Sequence, residues 1–113
     1  MEASLWLSAV VLEELYAGAT AAAFDAVKAL EREFKEEHKL LVPEADDWAE
    51  TGKVLARLAA KYDYEEIGRG RLTNDALIAT SAGRSGILIL TTNARDFRRL
   101  AEFWPFQWQH VQP

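Results

Sequence analysis

Acidic side chains recur in this chain at points where they could bind a divalent cation. Asp96 follows the apolar run Ile87–Leu90 and the polar turn Thr91–Asn93, and Asp75 lies in an earlier helical segment. Hard cations such as Mg²⁺ and Mn²⁺ prefer several carboxylate oxygens that converge from different elements, with waters completing the shell. Such a cluster is not fully ionised without a metal, because adjacent carboxylates raise each other's pKa. Asp75 and Asp96 are therefore candidate metal ligands.

The segment around Asp96 has the pattern of a buried strand followed by a helix. The consecutive apolar residues Ile87–Leu90 are typical of a strand buried on both faces. A helix pattern then runs from about Ala94 to Phe103. Open α/β sheets place their ligand sites at the carboxyl ends of parallel strands. Asp96 would lie there, beside the free N–H groups that open a helix.

Each of these acids also has a structural explanation. Asn93 suits the N-cap of the helix, which would make Asp96 the N3 residue of a capping-box variant. Asp75 would lie in the first turn of a helix capped by Thr73 or Asn74, where it gains from the helix dipole. Spacing does not choose between those two caps. The shared placement of both acids near predicted strand ends is what favours a site.

Other candidate residues are less specific. Glu13 and Glu14 lie about equally far from the apolar stripe of their helix at ~100° per residue, so geometry does not choose between them. That stripe consists of Val11, Leu12, Leu15 and Ala19. Arg69 and Arg71 could hold a phosphate, although a short basic loop is usually just solvated.

The histidines and the C-terminal aromatic residues have simple packing explanations. His38 and His110 are isolated, with no second histidine at a metal-binding spacing, which favours surface or packing roles. Trp104, Phe106 and Trp108 could stack on bases. For so apolar a cluster, packing in the core or at a subunit interface is the more usual role.

Composition narrows the class of protein. The chain has 113 residues, 50% of them apolar and 27% charged, which predicts one globular domain. The absence of cysteine excludes disulfides, thiolate metal sites and a cysteine nucleophile, and it fits a reducing cytoplasm. No apolar run approaches the ~20 residues that a membrane span needs. A net charge of −5 argues against a broad basic nucleic-acid surface, but not against an acidic pocket that binds cations.

Hydrophobic periodicity predicts helices that alternate with short strands, which indicates an α/β fold. The strands are predicted at Leu5–Leu7, Ile87–Leu90 and Gln107–Val111. The first helix is predicted at Ala9–Ala17, with Ser8 as its cap. Three others are predicted at about Thr20–Lys39, Glu44–Tyr62 and Ala94–Phe103. A further helix is predicted to begin at Thr73 or Asn74 and to end near Gly83. One face of the third helix is expected to pack against the core. It carries Trp48, Thr51, Leu55, Leu58 and Tyr62. Leu40–Pro43 is expected to be an extended break, and Gly68–Arg71 a loop.

Three segments carry a family resemblance. They are Glu14–Gly18, with the sequence Glu-Leu-Tyr-Ala-Gly, then Asp75–Ala79, with Asp-Ala-Leu-Ile-Ala, and Thr91–Phe97, with Thr-Thr-Asn-Ala-Arg-Asp-Phe. In this order they resemble PIN-domain ribonucleases of the VapC toxin type, and the resemblance extends from about Leu5 to Trp108. It favours Glu14 over Glu13, a choice that helical periodicity does not make.

The resemblance implies a metal-dependent endoribonuclease, the toxin of a type II toxin–antitoxin pair, which hydrolyses RNA phosphodiesters. A VapB-like antitoxin, a homodimer, a cytoplasmic location and no membrane partner are implied with it. Mg²⁺ or Mn²⁺ would activate a water for attack on the phosphate. The implied site residues are Glu14, Asp75 and Asp96 as metal ligands, Thr92 or Asn93 as positioning groups, and Arg69 and Arg71 as contacts to the RNA backbone.

The chain departs from the family pattern at its start. A full PIN domain would begin with a strand that carries an Asp, followed by a helix, before the segment that matches Leu5. The only acid before Glu13 is Glu2, which lies in no such motif. The expectation is thus a single PIN-like domain over residues 1–113, with a parallel sheet flanked by helices and an N-terminal truncation.

That departure leaves an alternative function open. The missing Asp favours a catalytically impaired PIN-like fragment that acts as a protein-interaction module. A phosphotransfer domain of the haloacid-dehalogenase or response-regulator kind also gathers acids at strand ends. It would need a nucleophilic Asp after the first strand, and none follows Leu5–Leu7.

Overall fold

The computed structural model describes residues 5–63 and 69–112, and the backbone alone for 69–71. Its helices are α1 (Ala9–Gly18), α2 (Ala21–Glu36), α3 (Ala45–Tyr62), α4 (Arg69–Ser85) and α5 (Ala94–Leu100). Its strands are β1 (Leu7–Ser8), β2 (Leu40–Leu41), β3 (Ile89–Thr91) and β4 (Trp108–His110). The strands form two parallel pairs, β1 with β2 and β3 with β4. The predicted α/β class is confirmed, and the fold is consistent with the PIN type.

The chain divides into two compact units, Met1–Val42 and Pro43–Pro113. The first unit holds β1, α1, α2 and β2, and the second holds the remaining helices and strands. Within the described ranges, no helix combines the length and the apolar character that crossing a membrane would require.

The first unit is a parallel strand pair packed with a helical hairpin. The Ser8 hydroxyl accepts from the Val10 N–H at 3.2 Å, and the Thr20 hydroxyl accepts from the Ala23 N–H at 3.3 Å, so both helices begin at side-chain caps. The core of this unit consists of Leu7, Leu12 and Val27, with Val11, Tyr16, Ala19, Leu30, Phe34 and Leu40 packed against it. The predicted cap at Ser8 is confirmed.

Several expectations for the first unit need correction. Leu15 was expected in the buried stripe of α1, but it is 39% exposed, and Tyr16 packs against the core instead. The helix predicted to reach Lys39 ends at Glu36 because His38 adopts a left-handed φ of 56°. The Lys39 N–H then bonds back to the Phe34 carbonyl at 2.8 Å, which satisfies an open helix end. The expected extended break contains β2, whose Leu40 pairs with Leu7.

Helices α3 and α4 form the core of the second unit. The buried face of α3 carries Asp47, Thr51, Val54 and Leu58. The buried residues of α4 and the segment after it include Leu72, Ala76, Leu77, Ala79, Thr80, Ser81, Ala82 and Ile89. Thr51 and Thr80 share a buried hydroxyl–hydroxyl hydrogen bond of 2.9 Å between these helices. The predicted face was wrong at Trp48, which is 57% exposed, because Asp47 takes the inward position in the first turn.

Helix α4 begins earlier than predicted. The glycine pattern indicated a loop over Gly68–Arg71, but the residues from Arg69 onward are helical. Gly68 itself lies outside the described residues. Gly in a helix interior costs roughly 1 kcal/mol, which packing can outweigh. Leu72 supplies such packing, since it is only 4% exposed. Thr73 and Asn74 are therefore interior residues and not N-caps, and Asp75 does not lie in the first turn.

Strand β3 is covered less completely than its sequence predicts. Ile89 is buried, but Leu88 and Leu90 are 47% and 54% exposed, so the expectation of burial on both faces was wrong. The backbone explains the alternation, because successive side chains of a strand point to opposite faces. Within the described residues, β3 pairs with β4 alone, and the face that carries Leu88 and Leu90 is only partly covered.

The C-terminal segment packs closely on α4. Gly83 lies so near this segment that an added Cβ would be 2.6 Å from the Pro105 carbonyl oxygen and from Trp104 Nε1. Phe106 meets Phe97 edge to face, with ring centroids 6.1 Å apart. Helix α5 ends at Leu100, short of the predicted Phe103, and the chain then turns into β4.

Candidate functional site

The turn from β3 into α5 positions the first site residues. The Asn93 N–H donates to the Thr91 hydroxyl at 3.0 Å, which closes a local turn after the strand. The Asn93 side-chain oxygen then accepts from the Asp96 N–H at 3.4 Å, so Asn93 is the N-cap of α5, as predicted. Phe97 and Leu100 are 3% and 0% exposed, and they anchor the helix in the core of the unit.

One amide group joins two of the three acids that the motifs single out. Asn93 Nδ2 donates to Asp96 Oδ2 at 2.7 Å and to Asp75 Oδ2 at 3.4 Å. Asp75 comes from α4 and Asp96 from α5, so the site is built by two helices and the turn between β3 and α5. In a capping box the Asp96 carboxylate would accept from the Asn93 backbone N–H; here it accepts from the Asn93 side chain. That exchange is what brings the Asn93 amide to Asp75.

The chemistry of this arrangement fits a hard cation. Asp75, Asn93 and Asp96 are each half-buried, and the two carboxylates offer oxygen atoms from different helices to one region. Their like charges repel, and a cation between them would remove that repulsion. Mg²⁺ in proteins is usually held by one or two carboxylates, with waters and substrate phosphates completing the shell. The donor set therefore suits Mg²⁺ or Mn²⁺ better than a softer ion.

The structure brings together only part of the predicted site. Among residues 5–63 and 69–112, no group of three or more carboxylate, histidine or cysteine side chains could hold a metal ion. Glu13 and Glu14 are both exposed on α1, in the first unit, so burial does not choose between them. Thr92 is exposed in the turn before α5. The proposed backbone contacts of Arg69 and Arg71 fall outside the described side chains.

Thr91 is a contributor that sequence reasoning left out. Its hydroxyl holds the Asn93 N–H and so sets the direction from which the Asn93 side chain reaches both acids. The local signal was present, because Thr and Ser hydroxyls commonly accept from the N–H two residues on. A Thr at the end of a strand, two residues before an Asn N-cap, is that pattern.

A second acid in the same unit has a different environment. Asp47 is 2% exposed and accepts from Arg84 Nε at 2.9 and 3.0 Å and from the Glu44 N–H at 2.8 Å. Burial alone would raise the pKa of Asp47, but the hydrogen bonds from Arg84 and Glu44 hold this pKa below its usual value. The Glu44–Asp47 capping box could be read from spacing. The partnership with Arg84 could not, since the residues lie 37 positions apart.

The remaining candidates have the environments of packing or surface residues. His38 and His110 are both exposed. Trp104 is half-buried, and its Nε1 has no hydrogen-bond partner among the described residues. Trp108 lies half-buried in β4. Core packing is thus visible for the C-terminal aromatic cluster, and stacking on bases stays a prediction.

Comparison with known proteins gives one result. A family model described as PIN domain matches residues 1–103. No curated protein and no solved structure matches the chain significantly. PIN domains are typically divalent-metal-dependent nucleases that act on RNA, which agrees with the acids gathered around Asn93. Because the match spans nearly the whole sequence, this chain belongs to the PIN-domain family.

Proposed function

We propose that this chain is a metal-dependent endoribonuclease of the VapC type, the toxin of a type II toxin–antitoxin pair. The observation that carries the proposal is the shared Asn93 amide, which holds carboxylates from α4 and α5 together at the end of β3. Family membership supports a nuclease in general, and the motifs around Glu14, Asp75 and Asp96 support the VapC type. In the proposal Asp75, Asp96 and Glu14 hold Mg²⁺ or Mn²⁺.

The reaction is hydrolysis of an RNA phosphodiester by a water in line with the leaving oxygen. An ion held by these acids would supply Lewis acidity, which would lower the pKa of a water and offset charge on the phosphate. The Asp75 and Asp96 carboxylates orient the water by accepting its hydrogen bonds, and one of them takes its proton. The new P–O bond forms as the bond to the leaving oxygen breaks, and that oxygen leaves with a proton from solvent. Asn93 donates to both carboxylates, and in this proposal Thr92 contacts the phosphate.

Partners follow from the same proposal. A toxin of this type pairs with a VapB-like antitoxin and forms a homodimer, and both contacts need exposed apolar surface. In the second unit Leu88, Leu90 and Trp48 supply exposed apolar side chains. The C-terminal aromatic residues are largely engaged in packing within their own unit, which makes β3 a better candidate than the C-terminus for such a contact.

Calorimetric titration of Mn²⁺ at pH 7 tests the site. Wild type should bind Mn²⁺, Asp96→Asn should not, and wild type alone should cleave RNA. Asp25→Asn, an exposed acid on α2, is the control for loss of one negative charge and should behave as wild type. Absence of Mn²⁺ binding in a chain that circular dichroism shows to be folded would overturn the proposal.

The second candidate is a PIN-like module that binds a protein partner and cleaves nothing. The face of Leu88 and Leu90, which are each about half exposed, is the observation that favours it. It predicts a chain that neither binds Mn²⁺ nor cleaves RNA, and these two assays separate it from the nuclease. Sedimentation velocity of wild type against Leu90→Glu then tests whether this face mediates self-association, which both candidates allow.

A further inference from the structure

The exposed side of α5 carries three arginines. Arg95, Arg98 and Arg99 follow helical spacing and, at ~100° per residue, cover about a quarter of the helix circumference. Arg95 and Arg98 are exposed and Arg99 is half-buried, whereas Phe97 and Leu100 face the core. These three residues are called the α5 arginine face below. On the same helical wheel, Asp96 borders this face, so the arginines adjoin the candidate metal site.

The α5 arginine face forms no salt bridge within the described residues, although Arg99 is near enough to Glu102 for their charges to interact. Among the described residues, no ion pair joins Arg95, Arg98 or Arg99 to an acid, although the net charge of the chain is −5. Other basic residues of the same unit do have partners: Lys53 meets Glu50, Lys61 meets Glu102, and Arg84 meets Asp47 and Glu44. Arg57 on α3 is a further arginine without an ion pair, but it is not part of this face.

Helix stability does not explain Arg95. The amino end of a helix carries the positive end of its dipole, which disfavours a cation in the first turn. Arg95 occupies the first turn of α5, whereas Arg98 and Arg99 lie in the last turn, where a cation is favoured. Arg95 is therefore locally unfavourable for the helix. An exposed cation kept at such a position points to an anionic ligand.

Aromatic rings hold two of these guanidinium groups. The Arg99 guanidinium carbon lies 4.3 Å from the Tyr62 ring centroid, and that of Arg98 lies 5.9 Å from the Trp108 centroid. A guanidinium held on a ring is ordered but keeps its N–H groups free for a phosphate. Arginines beside aromatic rings are also the combination that proteins use to bind single-stranded nucleic acid. An acidic protein partner would explain the charges of the arginines. It would not explain why they lie beside Asp75 and Asp96.

We infer that the α5 arginine face is the surface that holds the RNA strand, with Arg95 and Arg98 on the phosphates next to the one that is cleaved. The inference rests on the proposed nuclease function for its choice of RNA. It accounts for RNA binding by a chain whose overall charge is negative, because the positive charge needed is gathered on one side of the helix that carries Asp96. The ligand is a single strand, since its backbone follows one short helix of 7 residues.

Fluorescence anisotropy with a labelled single-stranded RNA oligonucleotide tests this surface. The titrations are run in EDTA, which prevents cleavage, over a series of NaCl concentrations. Each phosphate contact contributes about 0.7 to the slope of log affinity against log salt for single strands. Arg95→Gln and Arg98→Gln should each lower this slope by about 0.7 and weaken binding several-fold. Lys53→Gln removes the same charge from an exposed pair on α3 and should leave the slope unchanged.

Further arms separate this inference from the proposed function. Asp96→Asn should lose Mn²⁺ binding and cleavage but keep RNA binding in EDTA, because the arginines are intact. RNA binding with wild-type slope in both arginine variants would overturn the inference, whatever the outcome for Mn²⁺. Displacement of the RNA by an equal concentration of polyglutamate would also overturn it, since the surface would then recognise acidic protein. If wild type instead binds RNA through the arginines but neither binds Mn²⁺ nor cleaves RNA, that outcome would overturn the nuclease proposal alone.

Discussion

Two acid-bearing regions of the second unit differ in what surrounds their carboxylates. Asp47 is 2% exposed and is met by the guanidinium of Arg84, whose Nη2 lies 2.9 Å from Asp47 Oδ2. Asp96 is half-buried, and within the described residues its carboxylate is met by the neutral amide of Asn93 at 2.7 Å, with no cation in contact. The first region contains its own counter-charge. At Asp96 no such counter-charge is present among the described residues.

This difference separates a structural acid from a candidate metal ligand more clearly than burial does. A carboxylate that is already paired and hydrogen-bonded gains nothing from an added metal, and removing its partner leaves an uncompensated charge. A carboxylate held by a neutral donor keeps lone pairs for an ion. The same residue type should therefore respond differently to mutation and metal at the two places, and each response can be measured.

Removal of the counter-charge at Asp47 should have the largest effect on stability. Arg84→Met leaves the Asp47 carboxylate buried without its cation, and we expect the free energy of unfolding to fall by about 3 kcal/mol. Lys53→Met, which breaks the exposed pair with Glu50, should change it by no more than about 0.5 kcal/mol. Urea denaturation measures both. Equal effects of the two variants would show that the Asp47–Arg84 pair is not structural.

Metal should stabilise the chain through Asp96. At a Mn²⁺ concentration 100-fold above the dissociation constant, the free energy of unfolding of wild type should rise by about 2.7 kcal/mol, because the ion binds the folded state. Asp96→Asn should show no such rise, while Asp25→Asn should show it in full. Urea curves with and without MnCl₂ give the values. A Mn²⁺ effect that survives Asp96→Asn would place the metal elsewhere.

Acid should act mainly through Asp47. Its pKa is raised by burial, but Arg84 and Glu44 lower it more, so in the folded state it lies below its usual value. The resulting stability is present in full above the unfolded-state pKa of about 3.9 and is lost as the pH falls through the folded-state pKa. Asp47→Asn should lower stability at neutral pH and reduce its pH dependence below pH ~4, by at most about 1.4 kcal/mol per pH unit. Urea denaturation at a series of acidic pH values measures the slope, which must differ from that of wild type if Asp47 is responsible.

Two substitutions at Asn93 should separate its roles in the helix cap and in the site. Asn93→Ala removes the cap of α5 and should cost about 1 kcal/mol, whereas Asn93→Ser keeps a capping oxygen and should cost much less. Both variants lose the amide that joins Asp75 to Asp96, so both should weaken Mn²⁺ binding by about 10- to 100-fold. Thermal unfolding and calorimetry are the two readouts. Wild-type Mn²⁺ affinity in Asn93→Ser would mean that the amide does not organise the site.

The sequence was informative wherever the deciding contacts are local. Ser8 and Asn93 were predicted as N-caps and are caps, because a cap bonds a residue only two or three positions away. The α/β class followed from alternating periodicities. Prediction failed at Trp48 and at Leu88, where the faces that are buried depend on which distant elements arrive to cover them. The start of α4 was missed because the packing of Leu72 outweighed the glycine signal.

The candidate site divides along the same line. The sequence alone determined which acids are candidates and in which order they occur, through short motifs whose residues lie within one helix or one turn. Only the tertiary structure decided that Asn93 reaches Asp75, 18 positions away, and that Arg84 reaches Asp47, 37 positions away. Side chains so far apart in sequence meet only after helices and strands have packed. Packing therefore decides whether a carboxylate meets a cation, as Asp47 does, or a neutral amide, as Asp96 does.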